Sequence, residues 1–115
     1  METVAFLFTD IEGSTRLWEQ DPERMAPALA CHDALARLAV ENNGGTVVKM
    51  TGDGAHAAFG DAADAVAAAL QLLRALASPA ATHGVGVRVR CGLHVGTVQR
   101  RDDDYFGSVV NRAAR

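Results

Sequence analysis

An apolar run close to the start of the chain constrains the fold more than any other feature of the sequence. Residues 3–9 begin and end with threonine, and the five residues between them are apolar at odd and even positions alike. A strand with one solvated face alternates apolar and polar residues, whereas a strand buried inside a sheet is apolar on both faces. The run therefore predicts a buried central strand.

Other patterns predict helices and strands in a definite order. Apolar and polar residues alternate over residues 87–95, which indicates a half-buried strand, and Gln99 to Asp104 form a charged stretch typical of a loop. Two further strands are predicted at 46–50 and 55–59, joined by a turn at 51–54. Four helices are predicted: one at 16–20, one from Pro22 to a stop signal at 42–45, one from a cap at Asp61 to about residue 77, and one from residue 107 onward. The core order βαββαβ predicts an α+β, ferredoxin-like fold.

The spacing of apolar residues, helical in the helices and alternating in the strand at 87–95, also predicts which side chains are buried. Cys31 and Cys91 fall on apolar stripes and have no CxxC spacing, so we expect two buried free thiols. The predicted buried stripes are Ala28, Cys31, Leu35 and Leu38 in the first long helix, and Val66, Leu70 and Leu73 in the alanine-rich helix.

Composition and charge exclude several classes of function. The chain has 115 residues, enough for one domain, and its 11 Lys and Arg against 14 Asp and Glu give a net charge of −3. A nucleic-acid-binding protein needs a basic face, so we expect no nucleic-acid partner. No segment approaches the ~20 apolar residues of a membrane span and no signal peptide is recognisable, so we expect a cytoplasmic protein without a membrane segment.

Two aspartates are candidates for binding a metal ion. Asp10 ends the predicted central strand, where a charge is costly unless it is paired or metal-bound. Asp53 lies in the turn between the second and third strands, and the first and third strands are neighbours in a ferredoxin-like sheet. The two carboxylates can therefore meet and form an oxygen site suited to Mg²⁺ or Mn²⁺. For each aspartate, a turn residue or helix cap remains the alternative.

Other polar residues suit a phosphorylated ligand but also have ordinary structural explanations. Gly13, Ser14 and Thr15 open a helix whose first N–H groups attract phosphate, although Ser and Thr cap many helices. Lys49 interrupts an apolar strand and either extends to water or donates into a pocket.

The end of the chain carries a third group of candidates. Asn111 and Arg115 are four residues apart and share one face of the last predicted helix. An amide and a guanidinium suit the negative charge of a phosphoryl transition state, and equally a solvated helix face. Asp104 belongs to a run of three aspartates, for which a solvated loop is the alternative.

Four motifs resemble the catalytic domain of class III adenylyl and guanylyl cyclases. Residues 8–15 are similar to the metal-binding opening of that family, and residues 49–54 with 57–59 to its second metal motif. Residues 92–96 are similar to the next strand, and residues 104–115 to the transition-state helix. The segments are FTDIEGST, KMTGDG with AAF, GLHVG and DYFGSVVNRAAR.

The resemblance implies roles at the metal and phosphate end of a site. It implies that Asp10 and Asp53 bind two divalent ions per site, Mg²⁺ or Mn²⁺, with the carbonyl of Ile11 as a further ligand. The β- and γ-phosphates would be held by Gly13, Ser14 and Thr15.

The resemblance also implies how the nucleotide is selected and converted. Lys49 and Asp104 would recognise adenine, since guanylyl cyclases usually carry Glu and Cys at these places. Asn111 would position the ribose, and Arg115 would stabilise charge on the α-phosphate. The implied reaction converts ATP into cyclic AMP and pyrophosphate.

The resemblance has consequences for assembly as well. In the family, the metal aspartates come from one protomer and the purine and transition-state residues from the other, so a head-to-tail homodimer is expected. The chain ends at Arg115 without a helix stop signal, so we expect residues 1–115 to be one cyclase domain incomplete at its C-terminus.

Two other functions compete with an adenylate cyclase. A degenerate cyclase domain could act as a non-catalytic nucleotide-binding or dimerisation module. A diguanylate cyclase of the GGDEF type shares the fold, but the sequence lacks a Gly-Gly-Asp/Glu-Glu-Phe turn.

Overall fold

The computed structural model describes residues 2–101 and 104–106, with side chains described as far as residue 97. Within that part, one sheet has the strand order β2-β3-β1-β4-β5, and every neighbouring pair is antiparallel. The elements are β1 (Glu2–Ile11), α1 (Ser14–Gln20), α2 (Pro22–Asn42), β2 (Thr46–Met50), β3 (Gly54–Phe59), α3 (Ala62–Ala75), a 3₁₀ turn (Pro79–Thr82), β4 (Val89–Arg101) and β5 (Asp104–Phe106). The predicted α+β, ferredoxin-like order is confirmed.

Strand β1 is the centre of the sheet, as its apolar run predicts. It pairs with β3 on one side and with β4 on the other, and both of its faces are buried. Ala5 and Leu7 pack with helix α3 on one face, which we call the helix face. Val4, Phe6 and Phe8 form a separate apolar cluster on the opposite face. The second face carries the candidate site, so we call it the site face.

The predicted buried stripe of α3 is wrong. Val66, Leu70 and Leu73 are 42–44% exposed, and α3 instead buries Ala65, Ala68, Ala69 and Leu72. Alanine lets a helix backbone approach a sheet closely, so the face of small residues packs against the sheet and the larger side chains lie outside it. Asp61 caps the helix as predicted, with its carboxylate accepting from the N–H of Ala63 at 2.8 Å.

The stripe of α2 is only partly as predicted. Ala28 is buried, Cys31 and Leu35 are half-buried, and Leu38 is 50% exposed. Alanines occur around much of this helix, so several apolar stripes fit the sequence equally well. The stripe that the structure buries includes a polar residue, and its members are Met25, Ala28, His32, Ala36, Ala39 and Val40.

The predicted burial of Cys91 also has to be corrected. Cys91, Leu93 and Val95 share the helix face of β4 with the buried Val89, yet all three are exposed. The prediction of two buried thiols is therefore wrong for Cys91, although partial desolvation raises the pKa of its thiol above the ordinary value. Of the helices among the described residues, none covers β4 beyond its start at Val89.

The predicted charged loop at Gln99 to Asp104 is wrong for residues 99–101 and for Asp104, which belong to strands. Strand β4 continues to Arg101 and pairs with β5, with Arg101 opposite Asp104 and Gln99 opposite Phe106. Antiparallel pairing uses only backbone N–H and C=O groups, so a charged segment can form a strand as well as a loop. The helix predicted from residue 107 lies outside the described residues.

The turn between β2 and β3 closes tightly on the end of β1. The N–H of Ile11 donates to the carbonyl of Asp53 at 2.6 Å, and the N–H of Ala55 donates to the hydroxyl of Thr9 at 3.0 Å. Between them, Gly54 is buried, and a Cβ at this position would fall on the carbonyl oxygen of Thr9. Glycine here is therefore required for close approach of two backbones.

Across the described residues, no helix is both long and apolar enough to cross a membrane.

We predict that Gly54→Ala destabilises the protein by about 3 kcal/mol, because a methyl group has to force β3 away from β1. The matched control is Gly60→Ala, at a position with open space for a Cβ, which should change stability by less than about 0.5 kcal/mol. Urea denaturation followed by circular dichroism measures both. Equal stability of the two variants would contradict the close approach.

Candidate active site

Asp10 and Asp53 lie next to each other at one end of the sheet. Asp10 is opposite Gly54 in the β1–β3 register, and the backbone bond from Ile11 to Asp53 holds the adjacent residues together. The sequence places these aspartates 43 positions apart (53 − 10), and antiparallel pairing of β1 with β3 brings them together.

The two carboxylates have different surroundings. Asp10 is opposite Arg90 in the β1–β4 register, and the guanidinium Nη2 donates to its Oδ2 at 2.5 Å. This ion pair is open to water, since the Asp10 and Arg90 side chains are 47% and 67% exposed. Asp53 is exposed and accepts a hydrogen bond from the hydroxyl of Thr51 at 3.0 Å. Both carboxylates therefore retain oxygens that face solvent.

The donor set fits a hard divalent ion that shares its coordination with substrate. Among the described residues, no group of three or more His, Cys, Asp or Glu side chains could enclose a metal by itself. Mg²⁺ is usually bound through one or two carboxylates, with water and substrate phosphates as the other ligands. Asp10 and Asp53 meet that requirement. The side chain of Ile11 is a hydrocarbon without a donor atom, so any ligand from this residue would be its carbonyl oxygen.

The turn after β1 leads into a polar depression. Gly13 has φ 61°, a left-handed conformation that favours glycine, and its carbonyl accepts from the N–H of Leu17 as α1 begins at Ser14. Arg16 and Arg88 line the depression beside Gly13, together with Glu12, Leu17 and Gly86. The lining carries two arginines against one glutamate, so the depression itself favours an anionic ligand.

A bulge in β2 places Lys49 on the site face. The register shifts between Val47 and Lys49, so that Val47 pairs with Ala57 and Lys49 pairs with His56. Val47 packs with the helix-face cluster. The extra residue re-aims the strand, as bulges near functional sites commonly do. Lys49 is exposed, as expected for a lysine in an edge strand.

His56 is a site-face residue that the sequence patterns did not indicate. Its ring lies 4.5 Å, centroid to centroid, from that of Phe8. Burial lowers the pKa of His56 below its ordinary value of 6.5, the charge of Lys49 lowers the pKa further, and Asp53 opposes both. The imidazole is therefore mainly neutral at pH 7. Its position three residues after Asp53, on the returning strand of the hairpin, is the signal that could have identified it.

The remaining candidates are not brought together by the described structure. Asp104 begins β5, which lies at the opposite end of the strand order from β2 and Lys49. Asn111 and Arg115 lie outside the described residues.

We predict that the pKa of His56 reports the two charges beside it. Lys49→Met should raise the pKa because a cation that disfavours imidazolium is removed, and Asp53→Asn should lower it because a favourable anion is lost. NMR titration of the imidazole resonances measures both shifts, and the exposed, distant Arg37→Met is the control that should leave the pKa unchanged. A pKa that falls or stays constant in Lys49→Met would contradict this geometry.

Comparison with known proteins identifies relatives of the whole chain. The model of the adenylate and guanylate cyclase catalytic domain matches residues 1–115. An uncharacterised protein of Mycobacterium tuberculosis is 44% identical over 115 residues, covering 98% of this chain and 38% of that protein. An adenylate cyclase of Podospora anserina is 33% identical over 138 residues, covering 97% of this chain and 6% of that enzyme. The chain spans well under half of the length of these curated relatives.

Solved structures share the fold. A structure of adenylate cyclases from Trypanosoma brucei in their monomeric state superposes with a TM-score of 0.85 at 27% identity, covering 100% of this chain and 68% of that one. The motif resemblance, the ferredoxin-like sheet and the match over all 115 residues agree. The chain belongs to the adenylate and guanylate cyclase catalytic domain family.

Proposed function

We propose that the protein is an adenylate cyclase domain that converts ATP into 3′,5′-cyclic AMP and pyrophosphate in cytoplasmic signalling. The observation that carries the proposal is the pair of solvent-facing carboxylates of Asp10 and Asp53, held side by side by the β1–β3 register. Membership of the cyclase family supplies the reaction class.

The metal and phosphate end of the site follows from the residues around Asp10. Asp10, Asp53 and the carbonyl of Ile11 would hold two Mg²⁺ or Mn²⁺ ions. Such ions activate the ribose 3′-hydroxyl as a nucleophile and neutralise charge on the phosphates. The Gly13, Ser14 and Thr15 segment would orient the β- and γ-phosphates through its N–H groups and hydroxyls.

In the reaction itself, the ribose 3′-oxygen attacks the α-phosphorus in line, and the bond to pyrophosphate breaks. No side-chain nucleophile is required, so the chain's contribution is positioning and charge. Asn111 would hold the ribose in the attacking orientation, and Arg115 would stabilise negative charge on the α-phosphate.

Selection of adenine is assigned to Lys49 and Asp104. An ammonium group donates to the purine N1, and a carboxylate accepts from the 6-amino group, a pattern that guanine does not match. The curated relatives named adenylate cyclases, at 33–34% identity, support ATP as the substrate.

We further propose that two copies of the chain assemble head to tail. Arg115 would complete the site of the copy that contributes Asp10, so each dimer would contain two equivalent sites.

We predict that Asp10→Asn and Asp53→Asn each lower cyclic AMP formation by about a hundredfold or more, because each loses a charged metal ligand. Mass spectrometry of product formed from ATP and Mn²⁺ measures this effect. Glu41→Gln, which removes an exposed acid at the far end of α2, should retain activity. Full turnover in Asp10→Asn would contradict the site, and a folded wild-type chain without product would favour the non-catalytic module.

We predict that Lys49 and Asp104 determine which purine base is accepted. The double substitution Lys49→Glu with Asp104→Cys should shift the ratio of kcat/KM for ATP over GTP toward GTP by about tenfold or more, because the hydrogen-bonding pattern of the pocket is changed. Competition between ATP and GTP in one reaction gives this ratio directly. An unchanged preference for ATP would show that these residues do not contact the purine.

We predict that two inactive variants restore each other's activity if each site is shared between two protomers. Asp10→Asn and Arg115→Ala chains should each be inactive, but an equal mixture should recover about a quarter of wild-type activity. Random assembly places half of the dimers in the mixed form, and each mixed dimer has one intact site out of two. A mixture as inactive as its components would exclude sites shared between protomers.

A further inference from the structure

The guanidinium of Arg90 contacts the carboxylate of Asp10, which the proposed site needs for its metal ions. It is directly opposite Asp10 in the β1–β4 register, and its Nη2 is 2.5 Å from Oδ2 of Asp10. Among the described side chains, no other group is placed within hydrogen-bond distance of that carboxylate. The arginine is therefore the counter-ion of Asp10 among the described residues.

The surroundings of the pair make this contact exchangeable. Both side chains are about half exposed or more, so water can solvate each charge when the pair separates. Exposed ion pairs contribute little to stability, which allows a competing cation to replace the guanidinium. Asp53, in contrast, has a neutral partner in the hydroxyl of Thr51. Asp10 is thus the carboxylate at which a metal ion meets a resident positive charge.

We propose that Arg90 is an internal competitor of the metal ion, which pairs with Asp10 and thereby sets the affinity for the first divalent cation. The proposal rests on the proposed function only in taking Asp10 as a metal ligand. A divalent ion has to displace the guanidinium from Oδ2 and remain near its charge, and both effects weaken binding.

The test is Mn²⁺ binding to the full chain without nucleotide, measured as loss of the free-ion signal in electron paramagnetic resonance. Arg90→Gln should bind Mn²⁺ about threefold to tenfold more tightly than wild type, since an exposed pair and a nearby charge are removed. Arg90→Lys keeps the charge but loses the planar fork, so its gain should be smaller. Asp10→Asn in the Arg90→Gln background should abolish the gain.

Arg37→Gln is the control. It removes an equal charge from an exposed residue of α2 that makes no contact with Asp10, so its effect should stay below about twofold. Equal Mn²⁺ affinity of wild type and folded Arg90→Gln, including no binding by either, would overturn the proposal. So would an equal gain in Arg90→Lys or Arg37→Gln. A chain that makes no cyclic AMP but gains Mn²⁺ affinity in Arg90→Gln would contradict the proposed function alone.

Discussion

The candidate site depends on the contact between the backbone of Gly54 and the carbonyl of Thr9. Because no side chain intervenes there, β3 can approach β1 closely enough for the carbonyl of Asp53 to accept from the N–H of Ile11. That bond fixes the turn against the end of the central strand. Asp10 and Asp53 become neighbours as a direct consequence, and the proposed metal-dependent mechanism rests on their proximity.

The two faces of the sheet differ in what they carry, since the helices pack on one face and the candidate site lies on the other. The helix face is covered by α2 and α3, and its alanines allow close packing that buries Leu7 and Ala5. The site face carries polar groups on successive strands, namely Lys49 and His56 on the hairpin, Asp10 on β1 and Arg90 on β4. Opposite charges are thus arranged across neighbouring strands, where register alone determines which of them meet.

Local signals in the sequence predicted most of the elements but not all of the packing. Some signals depend only on residues that are close in sequence and could therefore be recognised directly. They are the apolar run of β1, the Asp53-Gly54 turn and the Asp61 cap. The buried side of α3 was missed because alanine is weakly apolar, and the larger Leu70 drew the prediction to the wrong face. The contact of Arg90 with Asp10 spans 80 residues and exists only once the register of β4 is known.

The measurement that tests the central claim most directly is line broadening of backbone amide resonances by Mn²⁺ in a ¹⁵N-labelled sample. Substoichiometric Mn²⁺ should broaden the amides of Ile11, Glu12, Asp53 and Gly54 first, because these residues surround the two carboxylates. Amides in the middle of α3, on the other face of the sheet, should remain sharp. Broadening that is uniform, or that is centred away from the β1–β3 junction, would contradict a metal site at Asp10 and Asp53.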